Sequence, residues 1–263
     1  MQTSEELILF TVSVLPVFLI GSYIYKKDKN KEPTKLLMKL FLGGIGACLL
    51  VVFLNLFLYL IFPIMSIEES KLNLVQLFFK VFVGIAFIEE LSKWIFAYNI
   101  SYNDNEFDEF YDAIVYCTFV ALGFACFENL FYVYQKGLGT GVLRALFAVP
   151  GHACDGVLMG YYLGLAKENE LKGNNGLKMQ SLLLSILIPT AIHGFYDYCL
   201  FAGKPLFALL FIIFVICVYI MVIKRVNKVT LVNKKIRFKD NFCPNCGRKV
   251  ESDFCPNCGH KND

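Results

Sequence analysis

Charged residues are scarce in this sequence. Only 18% of its 263 residues are Asp, Glu, Lys or Arg, whereas 57% are hydrophobic, and the mean hydropathy is +0.56. A water-soluble domain of this length does not need so much apolar surface, and here the apolar residues stand in long blocks. The composition therefore excludes a soluble globular protein and predicts an all-α polytopic membrane protein.

Basic residues are nearly absent from several predicted loops and concentrate in two stretches, 26–39 and 224–239. Cytoplasmic loops of membrane proteins carry such Lys and Arg excesses, so the distribution indicates topology and not nucleic-acid binding. The first apolar segment also lacks a basic n-region and a small-residue cleavage site. We therefore expect this segment to be a retained span and not a cleaved signal peptide.

Seven apolar segments are long enough to cross a bilayer as helices. They cover residues 7–25, 40–62, 74–98, 113–134, 142–166, 177–201 and 206–223. With the basic stretch 26–39 in the cytoplasm, seven spans place the N-terminus outside and the C-terminus inside. The fifth segment contains Pro150-Gly151, which leaves open whether it forms one span or two half-helices.

The third segment carries Glu89, Glu90 and Lys93 within an apolar run. An ionised group in such a place costs a few kcal/mol, roughly 2.5–3.5 on insertion scales. At helical spacing Lys93 is i,i+4 from Glu89 and i,i+3 from Glu90, so the lysine can neutralise one carboxylate. Taken alone, these residues fit an ion pair that joins two helices as well as they fit a functional site.

Three further apolar segments also carry ionisable residues. Glu128 lies in the fourth, His152 follows the Pro150-Gly151 break in the fifth, and His193 lies i,i+4 from Asp197 in the sixth. Each is individually explained by packing, but together they are expensive to bury unless they share a use. A catalytic zinc needs three N or O ligands, an open position and a nearby base, so these residues suffice to hold a metal or to activate a water.

Six of the ten cysteines are scattered through apolar segments, and the other four form two copies of FCPNCG near the C-terminus. Paired CxxC knuckles bind zinc more often than they form disulfides. We predict a structural zinc site with four thiolate ligands: Cys243, Cys246, Cys255 and Cys258. The chain then divides into a transmembrane domain (1–223), a basic linker on anionic lipid headgroups (224–239) and a zinc ribbon (240–263).

The motifs EExxK, FEN with a following Tyr, PGH and HxxxD occur in this order over residues 74 to about 200. Together they resemble the PrsW family of intramembrane proteases, distant relatives of the CAAX prenyl endopeptidases. The resemblance implies a bacterial multi-pass membrane enzyme that makes the site-1 cut in a membrane-anchored anti-sigma factor during a stress response. The zinc ribbon is not general to that family.

The same resemblance implies a role for each intramembrane residue. Either Glu89 or Glu90 is the base that activates water. His152 and His193, with Glu128, are ligands of a candidate catalytic zinc, or the histidines donate to the oxyanion. Asp197 orients His193. Lys93 keeps the second glutamate ionised. The family is classed with metallopeptidases, whereas glutamate-activated water without a metal has been argued for its CAAX relatives.

Two other functions fit parts of the sequence. A non-enzymatic sensor or scaffold would use the buried charges to hold its helices together and the zinc ribbon to bind a cytoplasmic partner. A transporter would use the carboxylates and imidazoles as a proton relay. Transporters of that kind carry repeats between their halves, and no such repeat is visible in these motifs.

Overall fold

The computed structural model describes residues 2–232, residue 245 and residues 254–261. Within these ranges the fold is helical, and a single isolated bridge between Phe254 and Lys261 is the only β pairing. The helices are α1 (Gln2–Lys27), α2 (Thr34–Ile61), α3 (74–101), α4 (Phe110–Lys136), α5 (Leu138–Leu171), α6 (Asn175–Phe201) and α7 (Pro205–Val232). The prediction of an all-α polytopic fold with about seven long helices is confirmed, and six of these helices are candidate membrane spans.

Helix α3 contains a segment whose hydrogen-bonded turns are wider than those of an α-helix. Its α-helical parts, Leu74–Phe79 and Phe87–Ser101, are joined by a π-helical segment, Lys80–Ala86. The other six helices of the described chain are each long and apolar enough to cross a membrane. Wide helical turns of this kind are rare and often lie next to functional residues, and this one ends at Ala86, three residues before Glu89.

Helix α5 is continuous through the Pro150-Gly151 break. It begins at Leu138, passes through a π-helical segment, Arg144–Ala148, and continues as Val149–Leu171. Pro150 stands at the start of this last segment, where a residue without an N–H disturbs the hydrogen-bond ladder least. The fifth span is therefore one helix and not two half-helices.

Helix α4 is the centre of the bundle. In an apolar stretch of 18 residues, 89% of the residues of α4 are buried, compared with 22% in the corresponding stretches of α1, α2 and α7. Its neighbours approach closely at glycines. A Cβ on Gly123 would lie 1.9 Å from the Phe41 carbonyl oxygen of α2, and one on Gly160 of α5 would lie 2.3 Å from the Ala113 carbonyl oxygen. Small residues let helix backbones touch. The contact of Gly160 with the Ala113 carbonyl sets the position of α5 on α4.

Helix α3 packs between α2 and α6. The Phe96 ring fills the space over Gly46 of α2, and the Phe82 ring lies over Gly194 of α6. The indole N–H of Trp94 donates to Ser185 Oγ at 2.8 Å. These contacts fix the rotation of α3 and so determine which of its ionisable side chains face inward.

The described residues of the tail are 245 and 254–261, so Cys243 and Cys246 lie outside the described residues. In the described part, Cys255 and Cys258 lie in a tight turn that the Gly259 N–H closes onto the Cys255 carbonyl at 2.9 Å. Gly259 has a φ of +71°, which favours glycine. Helix α7 extends to Val232, so the first nine residues of the predicted 224–239 linker are helical.

Candidate active site

The ionisable residues predicted from four separate segments lie together in the bundle. Glu90 connects them. Its Oε1 accepts from Lys93 Nζ at 2.7 Å and from His193 Nδ1 at 2.7 Å, so α3 is tied to α6. Glu90 and Lys93 are both 0% exposed. Buried charges persist only when they are paired and hydrogen-bonded, and this pair satisfies that condition.

His152 connects Lys93 to Glu128. Lys93 Nζ lies 3.1 Å from His152 Nδ1, and His152 Nε2 lies 2.9 Å from Glu128 Oε2. An ammonium group only donates, so Nδ1 must accept and the proton must be on Nε2, where it is donated to the carboxylate. The contacts therefore define the tautomer of His152 and join α3, α5 and α4 in one network.

Arg144 is a member of the network that the sequence reasoning missed. Its guanidinium donates to Glu128 Oε2 at 2.6 Å and to Asn129 Oδ1 at 3.0 Å. It also lies over the Tyr132 ring at 4.4 Å. Arg144 is the first residue of the π-helical segment of α5. It neutralises Glu128, which is thus held in place from two sides.

His193 lies between carboxylates. While its Nδ1 contacts Glu90, its Nε2 lies 3.4 Å from Asp197 Oδ2 and 3.8 Å from Glu89 Oε2. The aspartate is in the i,i+4 position read from the sequence and faces the same ring. The two imidazoles, His152 and His193, are edge to face with their centroids 5.2 Å apart.

A cavity of about 650 Å³ opens beside these groups and distinguishes the two adjacent glutamates. Its walls include Glu89, but neither Glu90 nor Lys93. Other ionisable residues from α4, α5 and α6 complete its polar wall: Glu128, Arg144, His152, Asp155, His193 and Asp197. Glu89 therefore faces the space that a substrate could enter, whereas Glu90 lies behind it.

Several buried oxygens at this site have no hydrogen-bond partner among the described residues, namely Glu89 Oε2, Glu90 Oε2 and Asp155 Oδ1. Carboxylate and imidazole groups are also ligands that zinc accepts. One set here has ligand atoms all within 4.8 Å of one another: Glu90, His152, Asp155 and His193. The donor set and the unpartnered oxygens fit a divalent metal ion.

This set differs from the predicted zinc ligands. It contains Asp155, which the sequence reasoning left out, and it does not contain Glu128, which binds Arg144 and His152 instead. Asp155 and Arg144 both carried the signal used for the other site residues, because each is an ionisable side chain within an apolar segment. A search of the fifth segment for every ionisable side chain would have identified both Asp155 and Arg144.

A bundle of membrane-spanning helices with carboxylates and imidazoles around an internal cavity defines a polytopic membrane protein with a buried acid–base site. The family model described as "PrsW family intramembrane metalloprotease" matches residues 32–223. The chain belongs to this family, as its motifs predicted.

Curated relatives support the assignment. The chain is 35% identical over 231 residues to a protein named Protease PrsW from Oceanobacillus iheyensis, covering 86% of this chain and 99% of the relative. It is 35% identical over 198 residues to the Bacillus subtilis protein of that name, covering 74% and 83%. The Clostridioides difficile relative is 29% identical over 238 residues, covering 89% and 96%. No solved structure matches the chain.

Proposed function

We propose that this chain is an intramembrane endopeptidase in which Glu89 is the general base that activates water. The observation that carries the proposal is the difference between the adjacent glutamates. Each has one buried oxygen without a hydrogen-bond partner in the described part of the chain, but Glu89 lines the cavity and Glu90 does not. Glu90 is 0% exposed and its Oε1 is engaged by two donors. A base must reach the water and have a lone pair to accept its proton.

We place the attacking water between Glu89 of α3 and His193 of α6. Glu89 Oε2 and His193 Nε2 lie 3.8 Å apart, a separation at which a bridging water should be considered. A water held there would give its proton to Glu89 as it attacks the scissile carbonyl. His193 would orient it, and Asp197 would orient His193.

The remaining charges position the reactive ones. Lys93 lies 3.6 Å from Glu89 Oε2 and 2.7 Å from Glu90 Oε1, so it is a counter-ion within reach of both carboxylates. Arg144 lines the cavity beside Glu128. It is a donor that could stabilise negative charge on the scissile oxygen.

The family description includes a metal, and the residues that would hold it are Glu90, His152, Asp155 and His193. A divalent ion there would polarise the scissile carbonyl and acidify a bound water. Glu90 could bind an ion through Oε2, which has no hydrogen-bond partner in the described part of the chain. His152 Nδ1 already contacts Lys93 Nζ and its Nε2 contacts Glu128, so His152 could bind an ion only if one of these two groups moved.

The proposed substrate is a membrane-anchored protein, specifically a single-span anti-sigma factor in a bacterial cell membrane, as the family resemblance implies. The proposed orientation has the N-terminus outside and residues 26–39 and the C-terminal zinc ribbon in the cytoplasm. Single-cysteine labelling in whole cells tests the orientation. Labelling of residue 230 by an impermeant reagent would overturn it.

A panel of site variants tests the chemistry in cells that co-express a tagged single-span substrate. Glu89→Gln, Glu90→Gln, His152→Ala and His193→Ala should each abolish the shortened product while the protein still accumulates in the membrane. Asp197→Asn should be milder than His193→Ala, because it misorients the ring without deleting it. Glu68→Gln, an exposed change outside the site, is the matched control. Wild-type cleavage by both glutamate variants would refute the proposal.

A further inference from the structure

A second group of buried carboxylates lies away from the candidate active site. Asp28 and Glu32 are in the connection between α1 and α2, and Asp112 is in the first turn of α4. They are 3%, 6% and 0% exposed, and one oxygen from each lies within 4.8 Å of the others. Asp112 precedes Glu128 by sixteen residues on α4, roughly 24 Å along the helix.

Hydrogen bonds hold one oxygen of each carboxylate in place. Asp112 Oδ2 accepts from the Asp108 and Glu109 N–H groups at 3.0 and 2.6 Å. Glu32 Oε2 accepts from the Tyr116 hydroxyl, and Asp28 Oδ1 accepts from the Asn30 N–H at 3.2 Å. The three side chains are therefore fixed by the local fold and are not free to turn toward solvent.

Two of the other oxygens have no partner within the described ranges. Asp28 Oδ2 and Asp112 Oδ1 are both buried without a hydrogen bond there. A buried acceptor left unsatisfied costs about 1–3 kcal/mol, and more when it is charged. The unpartnered oxygens point to a ligand of positive charge.

Lys31, the residue before Glu32, does not supply that charge. The ammonium of Lys31 donates to the main-chain carbonyls of Tyr25 and Asp28 and not to the three carboxylates. The salt bridges of the described chain include none between a lysine or arginine and any of these three carboxylates, so the group is short of positive charge.

We propose that Asp28, Glu32 and Asp112 bind a hard divalent cation, Mg²⁺ or Ca²⁺, that fastens the α1–α2 connection to the start of α4. Both ions prefer carboxylate oxygens, and Mg²⁺ in particular binds through few protein carboxylates and keeps several waters. These three ligands include no imidazole or thiolate, so the site differs in chemistry from both the intramembrane set and the cysteine tail.

The experiment uses the full-length protein in detergent, stripped with EDTA and titrated separately with MgCl₂, CaCl₂ and MnCl₂. We expect the unfolding temperature to rise by roughly 5–10 °C at a hundredfold excess over Kd. Electron paramagnetic resonance should detect one tightly bound Mn²⁺ that excess Mg²⁺ or Ca²⁺ displaces, and which of the two displaces it better identifies the preferred ion.

Asp112→Asn and Asp28→Asn should remove both the temperature rise and the bound Mn²⁺. In EDTA, Asp112→Asn should be at least as stable as the wild type, because the amide oxygen still accepts from the Asp108 and Glu109 N–H groups while one charge is lost. His193→Ala should keep the response, which separates this site from the intramembrane one. Glu68→Gln is the matched surface control, with its side chain 63% exposed.

Two results would overturn the proposal. One is a wild-type protein whose unfolding temperature no cation raises and that binds no Mn²⁺, which would mean that the carboxylates share protons instead of a metal. The other is a response that persists undiminished in both aspartate variants. If these variants do not accumulate, Glu32→Gln and the wild-type Mn²⁺ stoichiometry decide the question.

Discussion

Replacement of Lys93 by methionine tests whether the buried charges act as one network. Lys93 Nζ and Glu90 Oε1 are 2.7 Å apart, and both residues are 0% exposed. At an effective dielectric constant of about 20, opposite charges about 3 Å apart attract by roughly 5–6 kcal/mol. Removing one partner of a buried pair typically costs about 3–5 kcal/mol. Because His193 still donates to Glu90, we expect the lower end, about 3 kcal/mol, for Lys93→Met.

The double variant Lys93→Met/Glu90→Gln gives the sharper result. Because the charge of Glu90 is removed together with that of Lys93, its stability should return to within about 1 kcal/mol of the wild type, while cleavage stays absent. The 3.6 Å contact of Lys93 with Glu89 is lost in both variants, so it does not affect this comparison. Thermal unfolding of the purified proteins measures the effect, since a loss of about 3 kcal/mol corresponds to a decrease of roughly 6–12 °C. Lys172→Met is the control, because its partner Glu168 lies at 2.6 Å but the lysine side chain is 53% exposed. That change should cost less than about 1 kcal/mol.

A double variant no more stable than Lys93→Met alone would refute the network. So would equal losses for Lys93→Met and Lys172→Met, because burial would then make no difference to the strength of the pair.

Three further outcomes follow from the structure. Gly160→Ala should destabilise the protein by about 1–3 kcal/mol and lower cleavage, because its Cβ would lie 2.3 Å from the Ala113 carbonyl; unchanged unfolding and cleavage would contradict the close α4–α5 contact. Burial raises the pKa of Glu69, but the hydrogen bond and the charge of Lys80, together with a backbone hydrogen bond, outweigh burial and leave the pKa below the ordinary 4.5. The stability from this pair is therefore full above pH 4.5 and is lost as the pH falls through the lowered pKa, and a pH titration of unfolding should show this loss in the wild type but not in Glu69→Gln. Elemental analysis should find one zinc per chain fewer in Cys255→Ser than in the wild type; equal zinc content would refute the four-cysteine zinc ribbon.

Much of the fold and most of the site residues follow from the sequence for one physical reason. Apolar helices keep ionisable side chains only where those side chains find partners, so Glu90, Lys93, His152 and His193 had to meet if the chain folds at all. The same reasoning places the helices, because a span must hold about 20 apolar residues. For example, the span predicted at residues 113–134 corresponds to the helix Phe110–Lys136 in the structure.

The rest depends on how the helices are rotated and packed. Glu89 and Glu90 are adjacent, and only the contacts of α3 with α2 and α6 decide that Glu89 faces the cavity. The π-helical segments Lys80–Ala86 and Arg144–Ala148 leave no mark in the hydrophobic pattern. For that reason, the spacing could not show that Arg144 reaches Glu128.

Cleavage by purified protein tests most directly whether Glu89 is the catalytic base of a protease. Wild type and Glu89→Gln, reconstituted in equal amounts into liposomes with a tagged single-span anti-sigma factor, are compared by immunoblot and by mass spectrometry of the new terminus. If Glu89 is the catalytic base, the wild type gives a shortened product, cut once, and Glu89→Gln gives none, although both proteins unfold at similar temperatures. Equal amounts of product from the two proteins would contradict the assignment of Glu89 as the catalytic base.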